Sequence, residues 1–286
     1  MGAVERWGAG CELRNPRLRR VLAPPRPEGQ WVPSSGGGPV VTNLSASSRV
    51  STFLRSMTIQ GSWNYRTMLG GGFAFAILPV LRELFQGPRL DEALRRHSEH
   101  FNAHPYLAAL ALGATARLEA DGADAAMVRR FKSAIKGPLG GLGDGLVWAA
   151  WLPTTALLGL VAHFAGASPL VCVLLFLVPY NLGHLALRVW GYRMGLRWGH
   201  DVGRVLREAA LGHRAELVSR GGVVLLGALA GLLCVVGVSG GSLQPLWLVL
   251  ICVAIVAGLL GGERAWRPAA LVVVGSVVVI LTLAGR

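Results

Sequence analysis

Negative charge is scarce in this chain. Only 15 of its 286 residues are Asp or Glu, against 28 Lys and Arg, giving a formal net charge of +13 and a pI near 11.0. Charged residues of both signs reach only 15%, where soluble domains carry about 25%. That is too little charge to clothe a water-facing surface of this size. Cysteine is scarce too. Cys11, Cys172, Cys234 and Cys252 form no CxxC pair, and three of them lie in apolar runs. Small reduced core residues fit this pattern better than a disulfide framework or a metal site. There is no HExxH and no GxSxG. The glycines at Gly141 and Gly143 follow a basic segment and lack the Lys-Ser/Thr of a phosphate loop. No catalytic residue, metal or cofactor is therefore expected. Residues 1–30 contain no continuous apolar core of a secretory signal.

What remains is apolar. Hydrophobic residues make up 52% of the chain, and its mean hydropathy is +0.49. A basic pI first suggests nucleic acid. Here, however, the arginines flank apolar runs or fall in the first fifty residues, and no soluble basic domain stands apart. Basic flanks of apolar runs are what membrane spans show on their cytoplasmic side. Membrane lipid, and no nucleic acid, is the expected partner.

Residues 1–48 are rich in Arg, Pro, Gly and Ser, including Pro24-Pro25-Arg26-Pro27 and Ser34 to Pro39. This composition predicts a disordered basic extension. It also fits a segment upstream of the true translation start, which an intact mass excluding it would support. The membrane domain is expected to run over 49–286, with amphipathic, re-entrant and cytoplasmic helices in 49–136 and membrane spans in 137–286. From Val50 to Ile59, the spacing of Val50, Phe53, Leu54 and Met57 predicts an interfacial helix with its apolar face on that side. Gly70 to Leu84, interrupted by Pro79, falls short of the roughly 20 residues of a span. It predicts a buried or re-entrant helix. Asp91 to His100 predicts a solvated helix with i,i+3 and i,i+4 ion pairs among Glu92, Arg95, Arg96 and Glu99. Tyr106–Glu119 and Ala125–Lys136 predict a helical hairpin facing the cytoplasm, joined by a turn at Asp121 to Asp124.

Spans are expected at 145–165, 169–189, 221–239, 244–262 and 268–284, with Pro153, Pro179 and Pro245 starting or kinking helices. The fold class is thus all-α. The protein is polytopic in the membrane, with a cytoplasm-facing helical N-terminal half, re-entrant or broken helices and about five apolar C-terminal spans. The seven arginines between Arg188 and Arg220 place that segment inside. The N-terminus is then cytoplasmic and the C-terminus outside.

Between the two halves lies Gly137-Pro138-Leu139-Gly140-Gly141-Leu142-Gly143-Asp144-Gly145. So many glycines predict backbone other than plain helix. Irregular backbone at membrane depth belongs where it is buried or lines a cavity. Asp144, the last carboxylate before the apolar run, needs a partner or a task there.

Several blocks carry a family likeness. They are Ser62-Trp63-Asn64-Tyr65 with Gly72 to Pro79; His100-Phe101-Asn102-Ala103-His104-Pro105-Tyr106; Lys136 to Asp144; and Leu187-Arg188-Val189-Trp190-Gly191-Tyr192-Arg193-Met194-Gly195. Their order and spacing resemble the IID component of mannose/fructose/sorbose-type sugar phosphotransferase systems (PTS), from about Arg49 onward. Two positions depart from that pattern: Gly145 stands where the family has Ser, and Gly140 where it often has Ala. The resemblance implies an integral subunit of the bacterial inner membrane that pairs with a IIC subunit and moves a hexose-type sugar inward. Phospho-IIB, charged by IIA, would then phosphorylate the sugar. The IID chain itself carries no phosphorylated residue, and IIC–IID pairs would associate further as a homo-oligomer. A transport-deficient structural or regulatory partner of such a complex is the alternative.

Within these blocks, Trp63, Asn64, Asn102, His104 and Asp144 are the candidate substrate or pathway residues. An indole face stacks on sugar C–H groups, and an amide both donates to and accepts from hydroxyls. Each has a plainer role as well: an interfacial aromatic for Trp63, a cap for Asn64, turn formers for Asn102 and His104, and an N-cap at Gly145 for Asp144. His97 and His100, on a charged segment, are expected to be solvated. A phosphohistidine relay there would need a carboxylate held in place. His163 and His184 stay open between core and pathway.

Overall fold

The computed structural model describes residues 44–239, with backbone alone from 234 onward. The described residues are mostly helical and form no strands; β-type pairing is limited to isolated bridges from Asn64 to Met68 and from Met68 to Phe101. The helices are α1 (Ala46–Ser56), α2 (Gly70–Leu84), α3 (Pro88–His97), α4 (Ala108–Ala120) and α5 (Ala125–Gly143). A π-helical stretch, Asp144–Trp151, follows. Then come α6 (Leu152–Phe164), α7 (Pro169–Trp198), a 3-10 turn (Gly199–Asp201), α8 (Val202–Glu208) and α9 (Leu211–Ser239). The expected spans at 244–262 and 268–284, and Pro245, lie outside the described residues, as does most of the 1–48 extension.

The chain divides into two compact units. One holds the described residues up to Asp144 together with His184–Ala210; the other holds Gly145–Gly183 and the described residues from Leu211 onward.

The first unit is built around α4. Its sequence AALALGATARLEA is apolar on every side, and only Arg117 and Ala120 escape full burial. A helix that is apolar nearly all round belongs in a core, and α4 is the core element of this unit. Phe73, Ile77 and Leu81 of α2, Phe101, and Leu139 of α5 are buried with it. Each large side chain buried this way contributes about 1.5–3 kcal/mol. The C-terminal half of α7 crosses α4 at very close range. A methyl group at Gly113 would collide with the Tyr192 carbonyl, and one at Gly195 with that of Leu110. The Gly191-Tyr-Arg-Met-Gly195 motif is thus a small-residue seat for α4, of the kind that lets helix backbones touch.

The first helix, α1, starts at Ala46 with Ser45 as its N-cap. The Ser45 hydroxyl accepts from the Ser48 amide (3.2 Å) and donates to Glu83 Oε2 (2.8 Å), capping α1 and tying it to the end of α2. The two sides of α1 differ in burial. Thr52 and Ser56 are buried, while Val50 and Leu54 are 57% and 60% exposed. The turn that follows α1 presses on the first turn of α2, where a methyl at Gly72 would overlap the Ile59 carbonyl.

In the second unit the rest of the π-helical stretch and α6 cover 145–164, close to the expected span at 145–165. The expected span at 169–189 lengthens into α7, and that at 221–239 lies inside α9. Pro153 sits in the first turn of α6, and Pro179 lies within α7. The Thr154 hydroxyl donates to the Val218 carbonyl (3.3 Å), joining α6 to α9. Two helical stretches, Ala125–Phe164 and Pro169–Leu233, are long and apolar enough to cross a membrane. Their most apolar windows are only 17% and 0% buried. Outward apolar side chains such as Leu170, Val173 and Leu182 need an apolar surrounding, not water.

The Gly-rich stretch is itself corrected. It continues α5 through Pro138 to Gly143, because packing overrides its poor helix propensity: Leu139 is fully buried, and Gly143 lies against the His104 side chain. The irregularity comes one residue later, as the π-helical widening from Asp144 to Trp151.

Candidate functional site

All four sequence blocks lie in the first unit, and three of them are joined around one loop. The turn carrying Trp63 and Asn64 leads into Met68, which pairs with Phe101. The Leu69 amide donates to the Phe101 carbonyl (2.9 Å), and the Phe101 amide to the Thr67 carbonyl (3.2 Å). The loop carrying Asn102 and His104 is thereby stitched to the first turn. At its other end, His104 packs on Gly143, where any Cβ would collide with the imidazole. The position before Asp144 is glycine because the His104 ring occupies that space.

The individual roles divide. Asn64 holds its own turn: Nδ2 donates to the Ser62 carbonyl (3.1 Å) and to Thr67 Oγ1 (2.8 Å). Its Oδ1 accepts from the Arg66 (3.1 Å) and Thr67 (3.0 Å) amides. Trp63 is 47% exposed and edge-on to Tyr65, with ring centroids 4.8 Å apart. The indole is thus partly accessible, in a turn that Asn64 holds. Asn102 is exposed and His104 is buried. The His104 Nδ1 accepts from the Tyr106 amide (3.2 Å), so the imidazole shapes the turn into α4. Burial, and then the positive Arg188 nearby, push its pKa down to about 4, so it is neutral at ordinary pH. Asp144 is exposed. It is not an N-cap: its backbone is αR and its amide continues the helical bonding to Gly140 and Gly141. Asp144 opens the π-helical stretch, a distortion that recurs at functional sites. At the two departing positions, Gly140 and Gly145, a Cβ would meet nothing within 4 Å.

Beside His104 runs a cluster around His184, a residue the letters left open between core and pathway. Tyr106 stacks on His184, with centroids 3.9 Å apart. Arg188, only 2% exposed, donates from Nε to His184 Nε2 (2.8 Å) and from Nη1 to the Ser56 carbonyl. Its guanidinium carbon lies 5.0 Å from the centre of the Tyr106 ring. No carboxylate forms an ion pair with Arg188 among the described residues. An arginine ending a long apolar run was the signal available in the letters.

A second buried network lies under the same loop. Arg96 grips Glu119 with Nε to Oε1 (3.0 Å) and Nη2 to Oε2 (2.7 Å). His97 Nε2 makes a 2.8 Å bond to the same Oε1. Lys132 Nζ donates to the carbonyls of Arg96 and His97 (both 3.2 Å), the last turn of α3, where a cation also meets the negative helix end. The Arg96 charge already balances Glu119, so a protonated His97 would be a surplus buried cation. Burial accordingly pushes His97 down to about 4, against the pull of Glu119. It is neutral and donates from Nε2. Burial raises Glu119, but hydrogen bonds from His97 and Arg96 outweigh it and hold the carboxyl below its usual range.

The expected solvated His97 is therefore corrected: it is fully buried, whereas His100 is exposed. The expected ion pairs along α3 give way to longer links, Arg96 to Glu119 and Glu99 to Arg129 (2.7 Å). A carboxylate does orient His97, but an imidazole without solvent access and with Nε2 engaged cannot take a phosphoryl group. The legible hint was Glu119 itself, a lone carboxylate in an apolar helix that needs partners.

The sequence profile described as "PTS system mannose/fructose/sorbose family IID component" matches residues 43–239, more than half of the chain. The "PTS system mannose-specific EIID component" of Escherichia coli (strain K12) is 37% identical over 193 residues, 65% of this chain and 68% of that protein. The "Fructose permease IID component" of Bacillus subtilis (strain 168) is 31% identical over 63% of this chain and 66% of its own length. Among solved structures, the cryoEM complex of the mannose transporter ManYZ with microcin E492 contains a chain that superposes with a TM-score of 0.53. The two are 35% identical over 66% of this chain and 71% of the other. A structure described only as a membrane protein superposes at 0.59 with 36% identity and the same coverage. Sequence blocks, helical architecture and outward apolar faces thus agree with these relatives, and the chain belongs to the IID components of the mannose/fructose/sorbose family of the PTS, which are membrane proteins of sugar transport.

Proposed function

We propose that the chain works as the non-catalytic half of a sugar permease: paired with a IIC subunit, it translocates a hexose-type sugar that phospho-IIB, charged by IIA, phosphorylates inside. The observation that carries this reading is the meeting of the Trp63–Asn64 turn, the Asn102–His104 loop and the Gly143–Asp144 helix end within one compact unit. Trp63 and Asp144 supply the exposed indole face and carboxylate for sugar or pathway contact. Asn102 is exposed in the loop that is stitched to the Trp63–Asn64 turn, and Asn64 and His104 hold the two loops in place. The full topology has about five spans in the bacterial inner membrane, with the N-terminus inside, the C-terminus outside and residues 1–48 as a basic extension. IIC–IID pairs associate further as a homo-oligomer.

The test is thermal stabilisation of the purified IIC–IID pair across a panel of hexoses. A ligand that binds only the folded pair at a hundred times its Kd adds about 2.7 kcal/mol. A concentration-dependent rise in Tm with at least one hexose, weakened by Trp63→Ala, supports the reading. No shift with any hexose contradicts it. The open space at Gly140 and Gly145 gives no support to a transport-deficient partner.

A further inference from the structure

Between α1 and the C-terminal half of α7 lies an open groove of about 270 Å³, lined by Arg49, Phe53, Val189, Tyr192, Arg193 and Leu196 among others. Its wall is fixed: the Tyr192 hydroxyl donates to the Arg49 carbonyl (2.9 Å), and the Tyr192 and Phe53 rings lie 5.6 Å apart. The floor is apolar and the charges at its edge are both positive. No carboxylate lines it. Neither Arg49 nor Arg193 forms an ion pair among the described residues. Arg49 Nε is buried and has no hydrogen-bond partner. The carboxylate that Arg49 does feel, Glu83, is held by the amide and hydroxyl of Ser45. Beside the groove, Val50 and Leu54 point outward, as on a helix lying in a membrane interface.

We propose that this groove is a binding site for an anionic phospholipid, with Arg49 and Arg193 on the phosphate and the first methylenes of an acyl chain along Phe53, Val189 and Leu196. Charge decides between this occupant and segments of the chain itself. Residues 1–43 carry six arginines against three glutamates, and residues 240–286 carry three arginines against one. Both segments would bring positive charge to a positive rim. A phospholipid brings the opposite charge together with an apolar tail, and guanidinium is the side chain best shaped for phosphate. This inference rests on membrane residence and not on the sugar pathway.

The full chain, purified in mild detergent, is titrated with phosphatidylglycerol or phosphatidylcholine of identical acyl chains, and bound lipid is counted by native mass spectrometry. The expected result is a preference for phosphatidylglycerol of about tenfold, the size of one or two charge contacts near a membrane surface. Arg49→Gln and Arg193→Gln each reduce it, and the double variant brings the two lipids to within about twofold, with an unchanged helical circular dichroism spectrum and gel-filtration volume. Equal binding of both lipids by the parent chain overturns the proposal, as does a preference that survives in the double variant. Displacement of the lipid by millimolar inorganic phosphate alone would assign the site to free phosphate and overturn the lipid claim. Cross-links from position 50 to the IIC subunit that block lipid binding would overturn it in favour of a protein interface.

Discussion

Replacing Glu119 by Gln should damage this protein more than any surface substitution. Glu119 is almost wholly buried and, among the described residues, is the sole carboxylate partner of Arg96 and His97, which give it three hydrogen bonds of 2.7–3.0 Å. An amide keeps one acceptor oxygen but turns the other contact into donor facing donor, and it leaves the Arg96 charge buried without a counter-charge. Removing one partner of a buried pair costs about 3–5 kcal/mol, a large share of the roughly 5–15 kcal/mol that holds a domain together. The loss spreads to the candidate site, because His97 ends α3 directly before the loop that carries Asn102 and His104. Arg96→Met/Glu119→Met, which removes both charges, should recover most of the stability, since the pair's worth is offset by the cost of desolvating it. Thermal unfolding of the four proteins in the same detergent gives the cycle. Glu119→Gln melting with the parent chain, or a double variant as weak as the summed singles, would refute this view of the network.

The remaining predictions concern pH and the two loops. His97 has its folded pKa depressed from 6.5 to about 4, so the unfolded chain binds the proton more readily. Stability is then fully present above pH 6.5 and is lost as pH falls toward 4, by about 3 kcal/mol at 1.36 kcal/mol per unit. The lowered Glu119 carboxyl adds a loss of the same sign at lower pH. Unfolding midpoints measured from pH 7 to 4 should fall steeply, and His97→Gln, which still donates to Glu119, should reduce the fall between 6.5 and 4, leaving the share due to the likewise depressed His104. Gly143→Leu should cost about 1–3 kcal/mol by overpacking against His104, while Gly145→Ser, built into open space, should stay within about 0.5 kcal/mol of the parent. Melting curves for the two variants compare them directly, and equal losses would mean that the His104–Gly143 contact is not tight.

The letters carried the helices and their order well, because periodicity and turn residues act locally. Asp124, for example, caps α5 through the Met127 amide (2.6 Å) as its place in the turn suggests. They also carried the motif blocks, but not the reasons for them. The Gly191–Gly195 spacing is a helix crossing, and Gly143 is a seat for His104; both depend on partners far away in sequence. What failed was what tertiary contacts decide. The Gly-rich stretch became helix because Leu139 and Gly143 had surfaces to pack on. His97 left solvent because Glu119, 22 residues onward, was waiting in an apolar helix. Asp144 kept its place at the mouth of the apolar run and lost its role as a cap.

The most direct test of the central claim is sugar phosphate formation in sealed vesicles that hold the IIC subunit with this chain, supplied with phosphorylated IIB inside and labelled hexose outside. The account predicts accumulation of sugar phosphate that disappears when this chain is omitted and falls when Trp63 or Asp144 is replaced by Ala while the complex still assembles. Undiminished accumulation without the chain would contradict its place in translocation. Full activity of both variants would contradict the site.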